Sequence, residues 1–382
     1  MLEERVRRRL AEWEAAGLRR VPRPPSGIDF SSNDYLNLSA HPLIVARFAR
    51  AAAREGCGST GSRLLRGDRA VFVSVEERFA AFKRTERSLY FSSGYLANLA
   101  VMTTLAERGD VVFSDERNHA SLIDGMRLSA ATRVVFPHND TRRLAELLAD
   151  APGGGHRFVV VESLFSMDGD IAPLAEYATL CRAAGAALIV DEAHAVGVYG
   201  ACGSGLIEEA GVGGDVVVSI NTAGKALGVS GAFVAGSGWA IDYLIQRARP
   251  FVFSTAAPPA LADALDASLD VIALEPGRRG RLASRIRRLR ERLSQAGVAV
   301  PACESQILPV AIGDNDRAVA VAQALQAEGF DVRAIRPPTV PRGTARLRVS
   351  VNAGLTDDII DRFAVSAATA LREVGLCSAG SS

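Results

Sequence analysis

One lysine in this chain stands in a stretch suited to carbonyl chemistry. The sequence holds 44 lysine and arginine residues, and only two of them are lysines, Lys83 and Lys225. Lys225 follows a predicted buried strand in the segment SINTAGKALGVSG. A lysine amine can lose its proton and attack a carbonyl, whereas an arginine stays charged. Lysine at this position therefore indicates a chemical role, while Lys83, in AAFKRTER, is predicted to lie on a solvated helix face without a specific role.

Other polar residues follow the predicted strands at the edge where ligands collect in open α/β sheets. Asp191 ends the apolar run ALIVD and needs a cationic partner, because a buried unpaired carboxylate is unfavourable. The FSSGYLANLA turn presents a helix N-terminus to a phosphate. Thr222 lies one helical turn before Lys225, so its hydroxyl can reach the same phosphate. With His194 on a phenolic oxygen and His119 stacked on a flat ring, these are the parts of a pyridoxal 5′-phosphate (PLP) site.

Each of these features also has a structural interpretation. The turn before the helix is an ordinary N-cap, Asp191 is a member of a structural ion pair, and a lone histidine is more often structural than catalytic. A nucleotide-binding fold would also place glycine-rich turns at these strand ends. However, no GxGxxG follows the first strand and no GxxxxGK[ST] occurs in the sequence. The joint placement of the polar groups favours the PLP enzyme.

The elements that position these groups alternate regularly along the chain. Strands that are apolar on both faces, separated by helices, predict an α/β fold with a large, mostly parallel sheet. This large PLP-binding domain is predicted over residues 40–272, after an N-terminal helix and arm over residues 1–39. A smaller α+β domain is predicted over residues 273–382, and Ser39 is predicted to cap the first helix of the large domain. The predicted strands of the large domain are RSLYFS, DVVFSD, TRVVFP, RFVVVES, AALIVDE, DVVVSI and GAFVAGS.

Composition narrows the class of protein further. The 382 residues are 48% hydrophobic and 23% charged with a formal net charge of +1, which predicts a large globular core and no nucleic-acid partner. The five cysteines lack CxxC spacing, which argues against a disulfide framework or a metal site and for the cytoplasm. The N-terminus does not resemble a signal peptide, and no apolar stretch reaches the length of a membrane span.

A series of distinctive segments occurs in order along the chain. They include SSNDYLNLS, GSTGSRLLRGD, DERNHASLIDG, FPHNDT, SLFSMDGDIAPL, TAGKALGVSGAFV, FSTAAPPA and IRPPTVPRGTARLR. Together these segments resemble the α-oxoamine synthase family of PLP-dependent enzymes. The resemblance implies PLP-dependent fold type I, which is aspartate aminotransferase-like, and a homodimer with its active sites at the dimer interface. It is greatest to the branch of biotin biosynthesis that joins L-alanine to a pimeloyl group on CoA or acyl carrier protein.

The resemblance also implies a role for each residue that matches a family motif. Lys225 carries the cofactor as a Schiff base and then takes the Cα proton of the amino acid, and His119 stacks on the ring and orients the substrate. Arg346 and Arg348 compete for the amino-acid carboxylate, and Arg348 is the one predicted. The other implied cofactor contacts are Gly94, Tyr95, Ser166, Asp191, His194, Thr222 and, on the phosphate of the partner subunit, Thr255. The other implied substrate contacts are Arg19 and Thr339.

Two departures from the family pattern bear on the substrates. The segment between GLRR and IDFSSNDYL is short, where many relatives have a small hairpin near the acyl entrance, and Leu355 stands near a place where relatives often have histidine.

Two other functions stay open. One is an α-oxoamine synthase that uses glycine or serine with a different acyl-CoA. The other is a non-catalytic PLP-fold subunit, against which the presence of Lys225, Asp191 and His119 argues.

Overall fold

Helices and strands alternate along the computed structural model, which describes residues 1–376. Cys377 lies outside the described residues, and the other four cysteines are free thiols. The helices are α1 (Leu2–Ala15), α2 (Pro42–Glu55), α3 (Ala70–Lys83), α4 (Gly94–Leu105), α5 (Ala120–Leu128), α6 (Thr141–Ala149), α7 (Leu174–Ala184), α8 (Leu206–Glu209), α9 (Gly238–Arg247), α10 (Arg249–Val252), α11 (Pro259–Leu274), α12 (Gly277–Gln295), α13 (Asn315–Ala327) and α14 (Asp357–Glu373). The strands are β1 (Ile28–Asp29), β2 (Arg87–Phe91), β3 (Val111–Asp115), β4 (Thr132–Phe136), β5 (Arg157–Glu162), β6 (Ala187–Asp191), β7 (Val216–Thr222), β8 (Ala232–Gly236), β9 (Ile307–Gly313), β10 (Phe330–Asp331), β11 (Ala334–Ile335) and β12 (Ala345–Ser350).

The larger of two compact units comprises residues 33–166 and 170–279 and is built on a seven-stranded sheet. The strand order is β2-β8-β7-β6-β5-β3-β4, and β8 is antiparallel to both of its neighbours while the other pairs are parallel. Every strand falls on one of the seven predicted apolar runs. Val160, Ile189 and Val218 have no exposed surface, because helices cover both faces of the sheet. The predicted mostly parallel sheet is confirmed.

The smaller unit comprises residues 1–32, 167–169 and the chain from Gly280 onward. It contains the antiparallel sheet β11-β12-β9 and the short parallel pair β1-β10. The Phe30 ring stacks on that of Phe363 at 4.0 Å and meets that of Phe330 edge-on, so the N-terminal segment contributes to this core. The smaller α+β fold is confirmed. The division at residues 39/40 and 272/273 stays a prediction, and these aromatic contacts group residues 1–32 with the C-terminal residues.

The predicted cap of the second helix is wrong. Helix α2 begins at Pro42, and its N-cap is His41, whose Nδ1 accepts a hydrogen bond from the Leu43 amide at 3.3 Å. Ser39 instead donates its own amide to Asp34 Oδ2 at 3.0 Å. The proline explains the shift, because proline suits the first helical position and its missing N–H would lack a partner there in any case. None of the described helices has both the length and the apolar content of a membrane span.

Lys83 does not lie on a solvated helix face, so that prediction is also wrong. Its side chain is 2% exposed and forms an ion pair with Glu192, which has no exposed surface. The Lys83 amine also donates to the Ser204 carbonyl at 2.5 Å, and the second carboxylate oxygen of Glu192 accepts from the Ile207 amide at 3.0 Å. The two lysines of this chain therefore have different tasks, because the first neutralises a buried carboxylate directly after Asp191.

Breaking this ion pair is expected to destabilise the protein strongly. We expect Lys83→Met to lower the free energy of unfolding by about 3–5 kcal/mol, because it leaves the Glu192 carboxylate buried and unpaired. Arg84→Met is the matched control, since the neighbouring Arg84 side chain is 70% exposed and a surface pair contributes about 0–1 kcal/mol. Urea unfolding at pH 7 measures both. Equal effects of the two substitutions would contradict a stabilising role for the buried pair.

Candidate active site

The Lys225 amine lies beside a histidine that is itself held in place. Strand β7 ends at Thr222, and the chain turns through Lys225 before it returns as β8. Lys225 Nζ lies 2.7 Å from His194 Nε2, and His194 Nδ1 lies 2.6 Å from the hydroxyl of Tyr35. Tyr35 is completely buried, so the imidazole has a fixed orientation toward the amine. The structure thus brings together two residues that the sequence predicted for one site.

Asp191 ends β6 and is held by two donors. Its Oδ2 accepts from Asn98 Nδ2 at 2.8 Å, and its Oδ1 accepts from the Ala193 amide at 2.9 Å. Asn98 also donates to Ser121 Oγ at 2.8 Å, and that oxygen lies 2.7 Å from His119 Nδ1. A hydrogen-bonded chain therefore connects the predicted pyridinium partner to the predicted stacking residue. Two donors therefore hold this 4% exposed carboxyl group in place.

His119 precedes α5 and is the N-cap of that helix. Partial burial of the ring lowers the pKa of His119, Asp191 opposes this change, and the charge of Lys225 adds to it. A lowered pKa keeps the imidazole neutral at pH 7, and a neutral ring can stack on a flat cofactor and accept a proton. The position and charge state of His119 therefore suit the role predicted for it.

A close approach of two elements forms the predicted phosphate cradle. Helix α4 begins at Gly94 with Ser93 as its N-cap, and its first amides have no partners within the helix. A Cβ atom on Gly94 would lie 2.3 Å from Thr222 Oγ1, so a side chain there would force the end of β7 away from the helix. Glycine is required by this contact. The helix N-terminus and the threonine hydroxyl thus lie together, as a phosphate site requires.

Three other predicted cofactor contacts lie in the larger unit. The Ser166 amide donates to Glu162 Oε2 at 3.2 Å, and Ser166 is 8% exposed. Tyr95 is 43% exposed, and its hydroxyl donates to Asp124. Thr255 is exposed and lines a cavity with Ser92 and Arg63. The contact of Thr255 with the phosphate of a partner subunit stays a prediction.

The predicted substrate contacts Arg19, Thr339 and Arg348 belong to the smaller unit. Thr339 Oγ1 accepts from Arg20 at 2.9 Å, and Arg19 pairs with Glu14 at 2.6 Å. The side chains that line one cavity of this unit include four arginines: Arg19, Arg23, Arg333 and Arg336.

The two arginines that compete for the amino-acid carboxylate differ in their partners. Arg346 pairs with Asp168 at 2.6 Å, whereas Arg348 is 7% exposed and donates to Ser350 Oγ at 2.8 Å. The assignment of the substrate carboxylate to Arg348 stays a prediction.

The groups of the larger unit fit PLP. An amine for the aldehyde, a carboxylate for the ring nitrogen, and a helix N-terminus with a hydroxyl for the phosphate lie at the same edge of the sheet. In addition, Glu162 Oε1 is a buried oxygen without a hydrogen-bond partner among the described residues. The fold and this set of groups define a PLP-dependent enzyme of fold type I.

Comparisons with known proteins agree with this class. Residues 25–366 match the family described as aminotransferase class I and II. The chain is 47% identical over 381 residues to the 8-amino-7-oxononanoate synthase of Burkholderia cenocepacia (strain HI2424), covering 95% of this chain and 94% of that relative. A solved serine palmitoyltransferase with PLP is 30% identical with a TM-score of 0.91, covering 97% of this chain and 98% of that chain. The solved 8-amino-7-oxononanoate synthase of Francisella tularensis is 30% identical with a TM-score of 0.79, covering 91% and 99%.

The chain belongs to the class I and II aminotransferases and, within them, to the α-oxoamine synthase family. The resemblance inferred from the sequence segments is confirmed, together with fold type I and PLP as the cofactor. The enzyme class, a PLP-dependent acyltransferase, is confirmed as well.

Sequence reasoning did not identify several residues that position the site. Asn98, Ser121 and Tyr35 hold the predicted residues in place. Glu162, the last residue of β5, pairs with Asp191 in the parallel ladder. Asn98 had a visible signal, because it is a polar residue in the middle of the apolar helix GYLANLAVMTTL. Tyr35 had no such signal, because its partner, His194, is 159 residues away in the sequence.

Another histidine of the larger unit lies outside the predicted site, between two carboxylates. His138 Nδ1 lies 2.9 Å from Asp115 Oδ1, and its Nε2 contacts Asp170. The Phe165 ring packs edge-on against the imidazole at 4.4 Å. Burial opposes the charged form, but the hydrogen bonds and charges of Asp115 and Asp170 outweigh it and raise the pKa of His138 to about 9. The cluster is thus a half-buried imidazolium between two carboxylates.

This cluster predicts a specific pH dependence of stability. Because the folded-state pKa of His138 is raised from 6.5 to about 9, its contribution is complete below pH 6.5 and is lost as the pH rises through 9. The contribution is about 3 kcal/mol. Between pH 6 and pH 10 we expect the free energy of unfolding to fall by this amount more in the wild type than in His138→Gln. His156→Gln, at an exposed histidine, is the control. The same pH dependence in all three proteins would contradict the prediction.

Proposed function

We propose that this chain is an 8-amino-7-oxononanoate synthase that condenses L-alanine with a pimeloyl thioester, releasing 8-amino-7-oxononanoate, carbon dioxide and the free thiol. The observation that carries the proposal is the Lys225 amine, 2.7 Å from His194 Nε2, in a chain 47% identical to such a synthase. Each residue of the site has the type and charge that this condensation requires.

Each side chain of the site has its own role in the proposed reaction. PLP, when bound, supplies a sink for the electrons released at Cα of the amino acid. The Lys225 amine removes the Cα proton. His194 orients that amine through the hydrogen bond between its Nε2 and Lys225 Nζ. Asp191 keeps a proton on the ring nitrogen, and Asn98 and the Ala193 amide hold the Asp191 carboxylate in place.

The substrates require cationic groups. Arg348 pairs with the carboxylate of alanine before it leaves as carbon dioxide. The cavity lined by Arg19 and three other arginines suits an anionic carrier, and both CoA and acyl carrier protein are anionic. In this proposal the enzyme works as a cytoplasmic homodimer, and Thr255 contacts the phosphate bound by the partner subunit. Sedimentation equilibrium of the PLP-loaded protein tests the dimer, since a monomer at micromolar concentration would contradict it.

Thiol release tests the reaction and the substrates together. The PLP-loaded protein is mixed with pimeloyl-CoA, pimeloyl-acyl carrier protein, or acetyl-, succinyl- or palmitoyl-CoA, each with L-alanine, glycine or L-serine. We expect release with alanine, and none from Lys225→Ala. Release only with glycine or serine, or only with a different acyl-CoA, would identify another α-oxoamine synthase. No release from any pair, with PLP bound, would favour a non-catalytic subunit.

A further inference from the structure

Two carboxyl groups lie side by side at the centre of the sheet edge. Glu162 is the last residue of β5 and Asp191 the last of β6, and the two are paired in the parallel ladder. Paired residues of neighbouring strands point to the same face, and the strands lie roughly 4.8 Å apart. Glu162 is 3% exposed and Asp191 is 4% exposed. Two adjacent buried carboxyl groups do not both ionise readily, because like charges repel strongly at low dielectric.

Hydrogen bonds distinguish the two groups. Both oxygens of Asp191 accept hydrogen bonds, at 2.8 Å from Asn98 and 2.9 Å from Ala193. The Ser166 amide donates to Glu162 Oε2 at 3.2 Å and the His119 amide also stabilises the charged form of Glu162, whereas Glu162 Oε1 has no hydrogen-bond partner among the described residues. A carboxylate is stabilised by donors on both oxygens, whereas a carboxylic acid needs fewer. The donors are therefore placed for an ionised aspartate and a neutral glutamic acid.

We propose that Glu162 is a neutral carboxylic acid in the working enzyme and that it leaves Asp191 as the one ionised carboxylate at this edge of the sheet. The proton on Glu162 preserves the negative charge of Asp191 for the ring nitrogen. It also keeps a second negative charge away from the Lys225 amine and from His119, the charged or titratable groups that face it from the neighbouring loops. Glu162 is a positioning and charge-setting residue rather than a catalytic residue.

The electrostatics of the site support this assignment. Burial raises the pKa of Glu162 to about 8, the charge of Asp191 adds to the rise, and Lys225 and nearby backbone amides oppose it. Glu162 is thus protonated at pH 7 and ionises as the pH passes 8. Ionisation would place a second negative charge beside the Lys225 amine and hold its proton more tightly. The reaction is then expected to slow above pH 8, because a protonated amine cannot take the Cα proton.

A neutral isostere provides the direct test. Glu162→Gln keeps the shape and a hydrogen-bond donor but cannot ionise, whereas Glu162→Ala removes both. We expect Glu162→Gln to bind PLP and to release thiol at pH 7 within about tenfold of the wild type, since one neutral hydrogen bond is exchanged for another. It should also lose the decline in rate above pH 8. Glu162→Ala should bind PLP more weakly, because the Ser166 amide loses its acceptor.

Infrared spectroscopy tests the protonation state without reference to activity. The wild-type holoenzyme should show the carbonyl stretch of a protonated carboxylic acid at pH 7, lost above pH 8 and absent from Glu162→Gln. A wild type without such a band at pH 7 would overturn the proposal, and this measurement does not depend on whether Glu162→Gln folds. A more than hundredfold loss of PLP affinity in a folded Glu162→Gln would also overturn it. The inference depends on the PLP site but not on the substrates, so failure of thiol release in the wild type would contradict the proposed function and leave the infrared result intact.

Discussion

Lys225→Ala is expected to reduce thiol release by more than about 10⁴-fold, because in the proposed function Lys225 is both the covalent link to the cofactor and the base that takes the Cα proton. Thiol release from the acyl donor with L-alanine measures the loss. The fold should be unaffected, because the larger unit packs around β7 and not around the lysine side chain. PLP should still bind through Asp191, Thr222 and the N-terminus of α4, and its visible absorbance should change because the link to Lys225 is missing.

Two further measurements separate the chemistry of the amine from its charge. Lys225→Arg keeps a positive charge beside His194 Nε2 but cannot lose its proton, so we expect it to be as inactive as the alanine variant. A small exogenous amine should partly restore thiol release to Lys225→Ala and not to Lys225→Arg, whose side chain still occupies the space. Substantial activity in either variant without added amine would contradict the role of Lys225.

The order of polar groups along the sheet edge was predictable because it depends on local sequence. Each apolar run ends where the strand ends, so the sequence pattern alone places Asp191 and Thr222 at one edge. Because both residues end strands of one parallel sheet, they lie at the same edge in any such fold. The prediction for Lys225 had a further basis, since carbonyl chemistry excludes arginine, which stands at 42 of the 44 basic positions of this chain.

Contacts between distant segments were not predictable in the same way. Lys83 looked solvated because AAFKRTER is a charged segment, yet its partner Glu192 lies 109 residues further along the chain. The N-terminal residues looked like a separate arm, yet Phe30 packs on Phe363. Glu162 resembled any other polar residue after a strand, and only the pairing of β5 with β6 places it against Asp191. In each case the burial of a side chain depends on a partner that no local pattern indicates.

Asp191→Asn is expected to reduce thiol release by about 10²–10³-fold, the usual effect of removing one group that stabilises developing charge. The asparagine keeps the size of the side chain but not the negative charge that holds a proton on the ring nitrogen. We expect most of the loss in kcat and little in the KM for alanine, because in the proposed function Asp191 pairs with the ring nitrogen and not with alanine. Asp191→Glu, which keeps the charge, should retain more activity than Asp191→Asn.

A substitution of Asn98 separates the charge of Asp191 from its position. Asn98→Ala leaves the carboxylate ionisable but removes the 2.8 Å hydrogen bond to Oδ2, a charge-assisted bond that contributes about 1.5–3 kcal/mol. It also removes the hydrogen bond from Asn98 to the Ser121 hydroxyl. Because that hydroxyl contacts His119 Nδ1, the position of the His119 ring is then less restrained. If charge is decisive, Asn98→Ala should lose less activity than Asp191→Asn and should keep the visible spectrum of bound PLP, which Asp191→Asn should change. Equal losses with the same spectrum would mean that Asp191 acts by holding its neighbours in place, and its assignment to the ring nitrogen would fail.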